Sequence, residues 1–396
     1  MLETPRANRT HIAFYGATNS GKSSLINAIT KQEISLVSEI AGTTTDPVWK
    51  SMEIAGIGAC VLVDTAGFDD ESQLGAARVE LAKRTTLKAD IAVIVFDSND
   101  ISDISQYETW VADLQKTPTL MVLNKADLVE DTMATKELLE ATFQKEVLVT
   151  SATTREGVEE LIQKLVEIGG ELKEKTITGD LCTDGDVVML VMPQDIQAPK
   201  GRLILPQVQT TRELLDKKCL LISVTTDRYL AGLASLKEPP KLIITDSQVF
   251  DYVYKHKPES SLLTSFSVLF AGYKGDIRAF IEGVRAIDSL TPTSKVLVSE
   301  ACTHAPLTED IGREKIPRML RKKISPDLQI DLVSGSDFPE DLSQYDLLIH
   351  CGACMFNRKH VLSRLERATS QGVPMTNYGV VIAYFTDILD KIVYAD

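Results

Sequence analysis

The chain has 396 residues, of which 44% are hydrophobic and 25% charged, and its formal net charge at pH 7 is −14. This length exceeds one ordinary hydrophobic core and favours two or three globular domains. The negative charge disfavours nonspecific nucleic-acid binding, which needs a positive surface to displace counterions. No apolar run reaches the roughly 18 residues of a membrane span, and the first residues do not form a signal peptide. We therefore expect a cytoplasmic protein with no nucleic-acid or membrane partner.

Basic residues and cysteines are both sparse. The stretch "RMLRKK" at residues 318–323 has a helical spacing of charges that is typical of a solvated helix face. Six cysteines are too few for a disulfide framework in a chain of this length, and cytoplasmic thiols stay reduced. Clustered cysteines are therefore interpreted as metal ligands or nucleophiles.

The first motif joins a strand to a helix. "HIAFYGATNSGKSSLINAI" predicts a strand at residues 11–15, a glycine-rich turn with the pattern G-x-x-x-x-G-K-S/T, and a helix. Backbone N–H groups of such a turn face a polyphosphate, the lysine reaches its β and γ oxygens, and the final hydroxyl ligates Mg²⁺. We predict a phosphate site with Ser23 as a magnesium ligand, formed by Gly16, Asn19, Ser20, Gly21, Lys22, Ser23 and Ser24.

Two further motifs predict the residues that respond to a γ-phosphate. "CVLVDTAGF" is a strand followed by Asp64, whose carboxylate can hold Mg²⁺ through water, and by Gly67, whose N–H can meet the γ-phosphate. Between this motif and the first lies "AGTTTDP", in which Thr44 is the predicted switch residue that closes on Mg²⁺. The predicted catalytic residues are Asn19, Lys22, Thr44, Asp64 and Gly67.

The last two motifs of this region predict guanine recognition. "TLMVLNKADL" ends in Asn124, Lys125 and Asp127, and the Asp127 carboxylate can accept from the N1–H and exocyclic amine that adenine does not offer. "VLVTSATTREG" places Ser151 and Ala152 where backbone amides can approach the guanine O6. Five motifs in this order, at the ends of alternating strands and helices, predict a P-loop GTPase domain of Ras-like fold over residues 1–172.

The motifs in residues 10–168 resemble those of the TrmE/Era-like small GTPases, whose "GTT" and "DTAG" sequences are matched at residues 42–44 and 64–67. Phe68 stands where Ras-like proteins have their water-orienting glutamine. The resemblance implies that a K⁺ ion near the phosphates, held by Asn19, replaces this glutamine. The alternative is that Asn19 is a turn residue whose side chain stabilises its own loop.

The middle of the chain alternates short strands with helices. Residues 167–180, "EIGGELKEKTITGD", lack an apolar period and predict a linker. Beyond it, "DVVMLVMP", "CLLISV" and "KLIIT" predict three strands of a small parallel sheet. Because such a sheet leaves edges unpaired, we expect residues 176–261 to form a small α/β dimerisation domain of a homodimer.

A third α/β unit, Rossmann-like, is expected over residues 262–396, beginning with the strand "SFSVLF". Loops that follow two of its predicted strands can converge, because ligands of open α/β sheets bind outside the carboxyl ends of the strands. Three cysteines and a histidine suit tetrahedral zinc, and three cysteines with an open fourth position suit a 4Fe–4S cluster. Since the sheet and helices supply their own core, a functional metal is favoured over a structural one. The candidate ligands are Cys302, His304, His350, Cys351 and Cys354.

Over the whole chain, a TrmE/Era-like G domain, a middle module and a C-terminal Cys-x-His…His-Cys-x-x-Cys unit resemble the HydF family, the scaffold GTPases of FeFe-hydrogenase maturation. The resemblance implies GTP/GDP, Mg²⁺ and K⁺ as cofactors, radical SAM maturases as donors of a diiron precursor, and apo FeFe-hydrogenase as its acceptor. It also implies a 4Fe–4S cluster on Cys302, Cys351 and Cys354, with His304 and His350 at or near the open iron. The basic residues that begin the next predicted helix, Arg358 and Lys359, would favour an anionic unit there or be ordinary solvated residues.

Two other functions share some of these motifs. A ribosome- or tRNA-related TrmE/Era-like GTPase with a structural zinc site would have the same G domain, but the acidic charge and the lack of a basic nucleic-acid module disfavour it. A redox enzyme would use Cys351 and Cys354 as a dithiol, which leaves His350 and Cys302 without a role.

Overall fold

The computed structural model of the chain describes residues 9–30, 48–67, 79, 82–83, 85–101, 104–171, 175–193, 203–301, 310–335, 338–353 and 356–395. The chain separates into two units, Met1–Lys173 and Glu174–Asp396. Each unit is α/β, which confirms the predicted fold class. Among the helices in the ranges above, none combines the length and hydrophobicity that a bilayer crossing requires.

The first unit is built on a mostly parallel sheet. Its described strands are β1 (Thr10–Tyr15), β2 (Val48–Ile54), β3 (Gly58–Asp64), β4 (Ile91–Asp97), β5 (Thr119–Asn124) and β6 (Val147–Val149). Their order is β2-β3-β1-β4-β5-β6, and of these neighbouring pairs the β2–β3 pair is antiparallel. The described helices are α1 (Lys22–Thr30), α2 (Ile104–Asp113), α3 (Met133–Phe143) and α4 (Val158–Glu171).

The central strands β1 and β4 explain why this sheet is covered on both faces. Both strands are almost continuously apolar and buried, as parallel strands between two helical layers require. Ile12 and Phe14 contribute to a core with α1 and α4, whereas Ala13 and Tyr15 contribute to a second core with α2 and α3. The loops that carry the motifs at residues 16–23, 64–67, 124–127 and 151–152 follow β1, β3, β5 and β6 of this sheet. The motif with Thr44 lies outside the described residues.

The second unit contains two parallel sheets among its described residues. The strands are β7 (Val187–Val191), β8 (Leu220–Val224), β9 (Leu242–Thr245) and β10 (Leu262–Ser265), then β11 (Lys295–Glu300), β12 (Gln329–Ser334), β13 (Leu347–His350) and β14 (Met375–Asn377). The sheet orders are β10-β9-β7-β8 and β12-β11-β13-β14. The described helices are α5 (Leu205–Asp216), α6 (Tyr229–Ala234), α7 (Phe250–His256), α8 (Phe266–Lys274), α9 (Ile277–Val284), α10 (Ile316–Lys323), α11 (Arg358–Ser370) and α12 (Tyr378–Phe385).

The predicted βα alternation is confirmed for β7, β8 and β9, each of which is followed by a helix. In the other sheet a helix follows β11 and β13, whereas β12 leads to β13 without a helix among the described residues. One buried cluster joins the two sheets, since it contains Met189 and Ile243 of the first and Val298 and Ile349 of the second. The division at residues 261 and 262 stays a prediction. Strand β10 begins at Leu262 and pairs with β9, so the first sheet extends past residue 261.

The prediction of a strand at "SFSVLF" was wrong, because this segment is helical after its first residue. Ser265 ends β10, and its side chain caps α8 by accepting a hydrogen bond from the Val268 N–H at 3.1 Å. Phe266, Leu269 and Phe270 recur at helical spacing and are buried in one core. An apolar run buried on most sides lacks the polar face that would have revealed its helical period.

The predicted linker is shorter than expected. Helix α4 continues to Glu171, and the N–H groups of Ile177 and Thr178 donate to the Glu213 carboxylate of α5 at 2.5 and 2.8 Å. These bonds attach residues 177–178 to the second unit. The basic stretch at residues 318–323 includes most of α10, and its charged side chains are exposed, as predicted.

Candidate functional site

The phosphate-binding loop lies between β1 and α1. Its glycines are required by close approach: an added Cβ at Gly16 would lie 2.3 Å from the Val95 carbonyl oxygen, and one at Gly21 would lie 2.2 Å from Asn124 Nδ2. Asn19 has a φ angle of 63°, a left-handed conformation that asparagine tolerates well. The loop therefore turns tightly into the N-terminus of α1, where backbone N–H groups favour an anion.

Lys22 lies across this loop. Its side chain is buried, and Nζ donates to the carbonyl oxygens of Gly16 and Ala17 at 3.1 and 2.7 Å. In this position the ammonium group can exchange carbonyl oxygens for phosphate oxygens without a large movement. Ser20 is fully buried, and its carbonyl oxygen accepts from Asn124 Nδ2 at 3.2 Å, whereas Ser24 is exposed.

The predicted magnesium ligands lie side by side. Ser23 Oγ donates to Asp64 Oδ2 at 2.5 Å, and Asp64 Oδ1 is buried without a hydrogen-bond partner among the described residues. Burial raises the pKa of Asp64, and the Ser23 hydroxyl and the charges of Lys22 and Lys50 lower it. A hydroxyl beside a carboxylate with an unpartnered oxygen fits the oxygen ligands of Mg²⁺. Thr44, the predicted switch ligand, lies outside the described residues.

Gly67 lies directly against the phosphate loop. An added Cβ would be 2.2 Å from Thr18 Oγ1 and 2.5 Å from Thr18 N, so a side chain here would push the two segments apart. The Thr65 hydroxyl anchors the same segment by donating to the Phe14 carbonyl oxygen at 2.6 Å. Gly67 therefore lies beside the phosphate loop, and its predicted contact with a γ-phosphate requires this position. Phe68 lies outside the described residues.

The guanine-motif residues form one hydrogen-bonded group. Asn124 is buried, and its Oδ1 accepts from the Ala152 N–H at 3.2 Å and from the Thr150 hydroxyl at 3.3 Å. Ser151 Oγ donates to Asp127 Oδ1 at 2.6 Å, and Asp127 itself is exposed. These bonds join the loops after β5 and β6 and present the Asp127 carboxylate to a ligand.

Two supporting residues were missed by the sequence analysis. Lys125 Nζ pairs with Asp97 Oδ2 at 2.6 Å, and Asp97 ends β4, a strand to which the sequence analysis assigned no site residue. The Tyr107 hydroxyl accepts from the Ala17 N–H and donates to the Val95 carbonyl oxygen, both at 3.3 Å. The signal for Asp97 was available, since this acidic residue ends the strand that neighbours the Asn124 strand. No pattern indicated Tyr107.

The second candidate site lies at the carboxyl ends of β11 and β13. These neighbouring strands form a switch point, because the chain passes from β11 to β12 on one side and from β13 to β14 on the other. Ligands of open α/β sheets bind outside such a point. Cys351 follows β13, and its Sγ accepts from the Ala301 N–H at 3.0 Å and the Ala353 N–H at 3.4 Å. Two backbone donors favour the thiolate form that a metal ligand needs.

Of the predicted cluster residues, His350 and Cys351 belong to the described part of the chain, and Cys302, His304 and Cys354 lie outside it. Ala301 directly precedes Cys302 in the chain and Ala353 directly precedes Cys354. Both donors to the Cys351 sulfur are thus chain neighbours of the other predicted cysteine ligands. Binding of a cluster by the three thiolates stays a prediction. Within the described ranges alone, no group of three histidine, cysteine or acidic residues forms a metal site.

His350 is fully buried, and both of its ring nitrogens have partners. Nδ1 donates to the Cys351 carbonyl oxygen at 2.7 Å, and Nε2 accepts from Arg364 Nη1 at 3.0 Å. Burial and the Arg364 charge lower the pKa of His350 to about 3, so the ring is neutral. Neither nitrogen is directed at a metal in this arrangement. Of the two roles predicted for His350, the geometry favours the neighbour over the ligand.

Arg364 is a further residue that the sequence analysis did not single out. It is buried on α11, and its guanidinium donates to Ser299 Oγ at 3.1 Å and to the Gly335 carbonyl oxygen at 2.6 Å, besides His350. The same group lies 4.6 Å from the centroid of the Phe338 ring. Arg364 therefore links the ends of β11, β12 and β13 next to the Cys351 loop.

Arg358 has a structural role. Its Nη1 donates to the carbonyl oxygens at the end of α8, those of Gly272, Tyr273 and Gly275, at 3.1, 3.0 and 2.6 Å. Such contacts satisfy carbonyl groups that have no partner within the helix. The guanidinium therefore caps α8, and this geometry does not support the anion-binding role suggested for it.

Comparison with known proteins identifies the family of this chain. Residues 11–125 match the family described as 50S ribosome-binding GTPase, which together with the geometry above makes the first unit a P-loop GTPase domain. Residues 177–275 match the hydrogen maturase F dimerization domain and residues 278–395 the hydrogen maturase F tetramerization domain. The chain belongs to the HydF-type GTPases. The family expected from the order of the motifs is thereby confirmed.

Curated relatives match over shorter segments. The chain is 31% identical over 240 residues to GTPase Der of Kosmotoga olearia, covering 57% of this chain and 54% of Der. It is 34% identical over 174 residues to tRNA modification GTPase MnmE of Endomicrobium trichonymphae, covering 41% and 36%. The chain thus spans about a third to a half of the length of these relatives. A solved structure of Era in complex with MgGDPNP and 16S ribosomal RNA aligns with a TM-score of 0.35 at 24% identity, covering 40% of this chain and 56% of Era.

Replacement of Asp127 by asparagine should reverse the choice of base. The amide can no longer accept from both guanine donors, so affinity for GDP should fall at least about tenfold, as expected for loss of a charged hydrogen bond. Affinity for xanthosine diphosphate should rise, because its second carbonyl accepts from the amide. Both are measured by calorimetry, with Asp131→Asn as the matched control in the same loop. Equal affinity of the unmodified protein for GDP and ADP would contradict the assignment.

Proposed function

We propose that this protein is a GTP-hydrolysing scaffold that binds a 4Fe–4S cluster through Cys302, Cys351 and Cys354 and delivers a diiron precursor to apo FeFe-hydrogenase. The observation that carries the proposal is the Cys351 thiol, which lies at the switch point of the second sheet within the region that matches hydrogen maturase F. Radical SAM maturases are the proposed donors of the precursor.

The residues of the first unit support binding and hydrolysis of GTP with Mg²⁺. Backbone N–H groups of the loop from Gly16 to Ser23 and the Lys22 ammonium would bind phosphates, Ser23 and Asp64 would hold the metal ion, and Asp127 would select guanine. The contacts of Lys22 with Gly16, of Ser23 with Asp64 and of Ser151 with Asp127 support these roles. Gly67 lies where its N–H can respond to a γ-phosphate. Bound K⁺ would supply positive charge beside the phosphates, and Asn19 in the loop is the residue proposed to hold it.

The residues of the second unit support a thiolate-bound cluster with one exchangeable iron position. The Cys351 sulfur accepts two backbone hydrogen bonds, and its carbonyl oxygen accepts from His350 Nδ1 and from Asn377 Nδ2, the latter at 3.2 Å. These contacts fix both the sulfur and the backbone of Cys351. A cluster bound there would supply an iron that can accept and release a bridging group such as cyanide. His304 is proposed to lie near that iron, with His350 as its buried neighbour.

The alternative, a ribosome- or tRNA-related GTPase with a zinc site, is supported by the name of the relative tRNA modification GTPase MnmE and by the description of the family that matches residues 11–125, 50S ribosome-binding GTPase. The matches to Der and MnmE cover 57% and 41% of the chain. Residues 177–275 and 278–395 match the hydrogen maturase F domains, and these two matches favour the scaffold over the alternative. We also retain the division of the chain at residues 1–172, 176–261 and 262–396 as a proposal.

The proposed homodimer has a candidate surface on the first sheet of the second unit. Strand β8 lies at the edge of the described sheet, and its Leu220 side chain is 60% exposed. Leu215 and Val208 of the neighbouring helix α5 are also exposed. An unpaired strand edge beside exposed apolar side chains favours association with a second copy.

Cluster binding is tested with anaerobically reconstituted protein. The unmodified chain should contain iron and sulfide in equal amounts and give a reduced 4Fe–4S signal by electron paramagnetic resonance, and Cys351→Ala should lose both. Cys219→Ala, which removes a buried thiol of the first sheet's core, is the matched control and should retain them. The proposal fails if the unmodified protein gives no such signal or if Cys351→Ala leaves it unchanged. Zinc in place of iron would favour the alternative.

The K⁺ proposal is tested by GTP hydrolysis in KCl and NaCl at equal ionic strength. Hydrolysis should be at least about tenfold faster in KCl, because a positioned cation stabilises the negative charge that develops on the phosphates in the transition state. The stabilisation should be similar to that given by one hydrogen-bond donor in an oxyanion hole. Asn19→Ala should abolish the difference between the salts. Equal rates of the unmodified protein in both salts would leave Asn19 with its turn role alone.

The dimer surface is tested by Leu220→Lys in the full chain. A charge at an apolar contact is unfavourable, so the dimer dissociation constant should rise at least about tenfold in sedimentation equilibrium. Leu128→Lys is the matched control, because Leu128 is 59% exposed on the first unit and should have no effect. If both variants associate like the unmodified protein, the interface lies elsewhere.

A further inference from the structure

Tyr378 follows β14, which pairs with β13 next to the Cys351 site. It begins α12 directly after β14, and the preceding residue, Asn377, donates from Nδ2 to the Cys351 carbonyl oxygen at 3.2 Å. The Tyr378 hydroxyl oxygen is buried and has no hydrogen-bond partner among the described residues. Buried hydroxyl groups are normally hydrogen-bonded, since an unpartnered one loses its bonds to water without replacement.

The space around this hydroxyl is kept open by a glycine. Gly312 lies in the π-helical turn Ile311–Lys315, and an added Cβ there would be 2.0 Å from the Tyr378 hydroxyl oxygen and 3.0 Å from Glu300 Oε1. The turn is held in place by Asp310, whose Oδ1 accepts from the N–H groups of Gly312 and Arg313 at 2.8 and 2.9 Å. A side chain at residue 312 would therefore displace the hydroxyl.

Glu300 and Asp310, which lie near the hydroxyl, are each held by another contact. Glu300 Oε2 accepts from Arg313 Nη2 at 2.9 Å, and Asp310 caps the turn. A phenol hydroxyl is protonated at neutral pH. The Tyr378 hydroxyl is therefore available as a hydrogen-bond donor.

We propose that the Tyr378 hydroxyl donates its hydrogen bond to the 4Fe–4S cluster at Cys351 and thereby raises the cluster's reduction potential. This inference rests on the cluster function proposed above. Hydrogen bonds to cluster sulfurs stabilise the more negative, reduced state. Tyr378 thus tunes the cluster without ligating it, and Gly312 provides the space in which the hydroxyl lies.

The test compares reconstituted full-length Tyr378→Phe with the unmodified protein. Tyr384→Phe is the matched control, because it makes the same chemical change on the same helix, where the Tyr384 hydroxyl contacts Asp288 and Lys323 instead. The iron content per chain should be the same in all three proteins, and so should the sulfide content. At a fixed potential the ratio of reduced to oxidised cluster should fall about tenfold in Tyr378→Phe alone, which is about 59 mV for a one-electron couple.

A spectroscopic measurement identifies the donor directly. In D₂O, electron–nuclear double resonance of the reduced cluster should show one coupled deuteron more in the unmodified protein and in Tyr384→Phe than in Tyr378→Phe, where the deuterons on the Ala301 and Ala353 N–H groups remain. Gly312→Ala, which keeps the tyrosine but displaces its hydroxyl, should lower the potential in the same direction. It serves as the second variant should Tyr378→Phe assemble no cluster.

The outcomes separate the two proposals. A cluster with unchanged potential and an unchanged deuteron signal in Tyr378→Phe overturns the role of Tyr378 and leaves the cluster function intact. A lack of any cluster in the unmodified protein overturns both. In the apoprotein, Tyr378→Phe should unfold at the same temperature as the unmodified protein or higher, because its hydroxyl has no partner to lose. A clear loss of apoprotein stability would show that the hydroxyl serves the fold instead.

Discussion

Parallel pairing of strands is the constraint on which both candidate sites depend. In a parallel sheet all carboxyl ends lie at one edge, so residues far apart in the chain become neighbours when each follows a strand. In the first unit this brings the loop after β1 next to the loops after β3 and β5. In the second it places Cys351, after β13, against the N–H of Ala301, after β11.

Close backbone approach is what turns these edges into sites. Gly16, Gly21 and Gly67 lie so near other residues that a Cβ on any of them would come within 2.3 Å of another atom. The Asn124 side chain then reaches the backbone of the phosphate loop, which links guanine recognition to phosphate binding through one buried amide. Gly312 has a comparable part in the second unit, where it leaves space for the Tyr378 hydroxyl.

Buried polar groups have different roles in the two sites. Asp64 has a buried carboxylate oxygen without a partner among the described residues, a cost that is expected at a metal site and that Mg²⁺ would offset. His350 and Arg364, in contrast, satisfy each other and neighbouring oxygens, so they rigidify the strand ends next to Cys351. Buried polar groups whose hydrogen bonds are all made within the protein hold a site in place, whereas those that lack a hydrogen-bond partner indicate where a ligand binds.

The amino-acid sequence by itself determined the GTPase domain, the alternation of strands and helices in the second unit, and the identity of the candidate ligands. It did so because each of these depends on local patterns: glycine spacing, apolar periodicity, and polar residues at strand ends. Only the tertiary structure decided which side chains contact each other across those ends. Asp97 with Lys125, Arg364 with His350, and the Tyr378 hydroxyl near Gly312 are separated by 28, 14 and 66 residues in the chain. It also decided that Arg358 caps a helix and that residues 266–270 are helical, since burial on several sides removes the polar face from which a helical period is recognised.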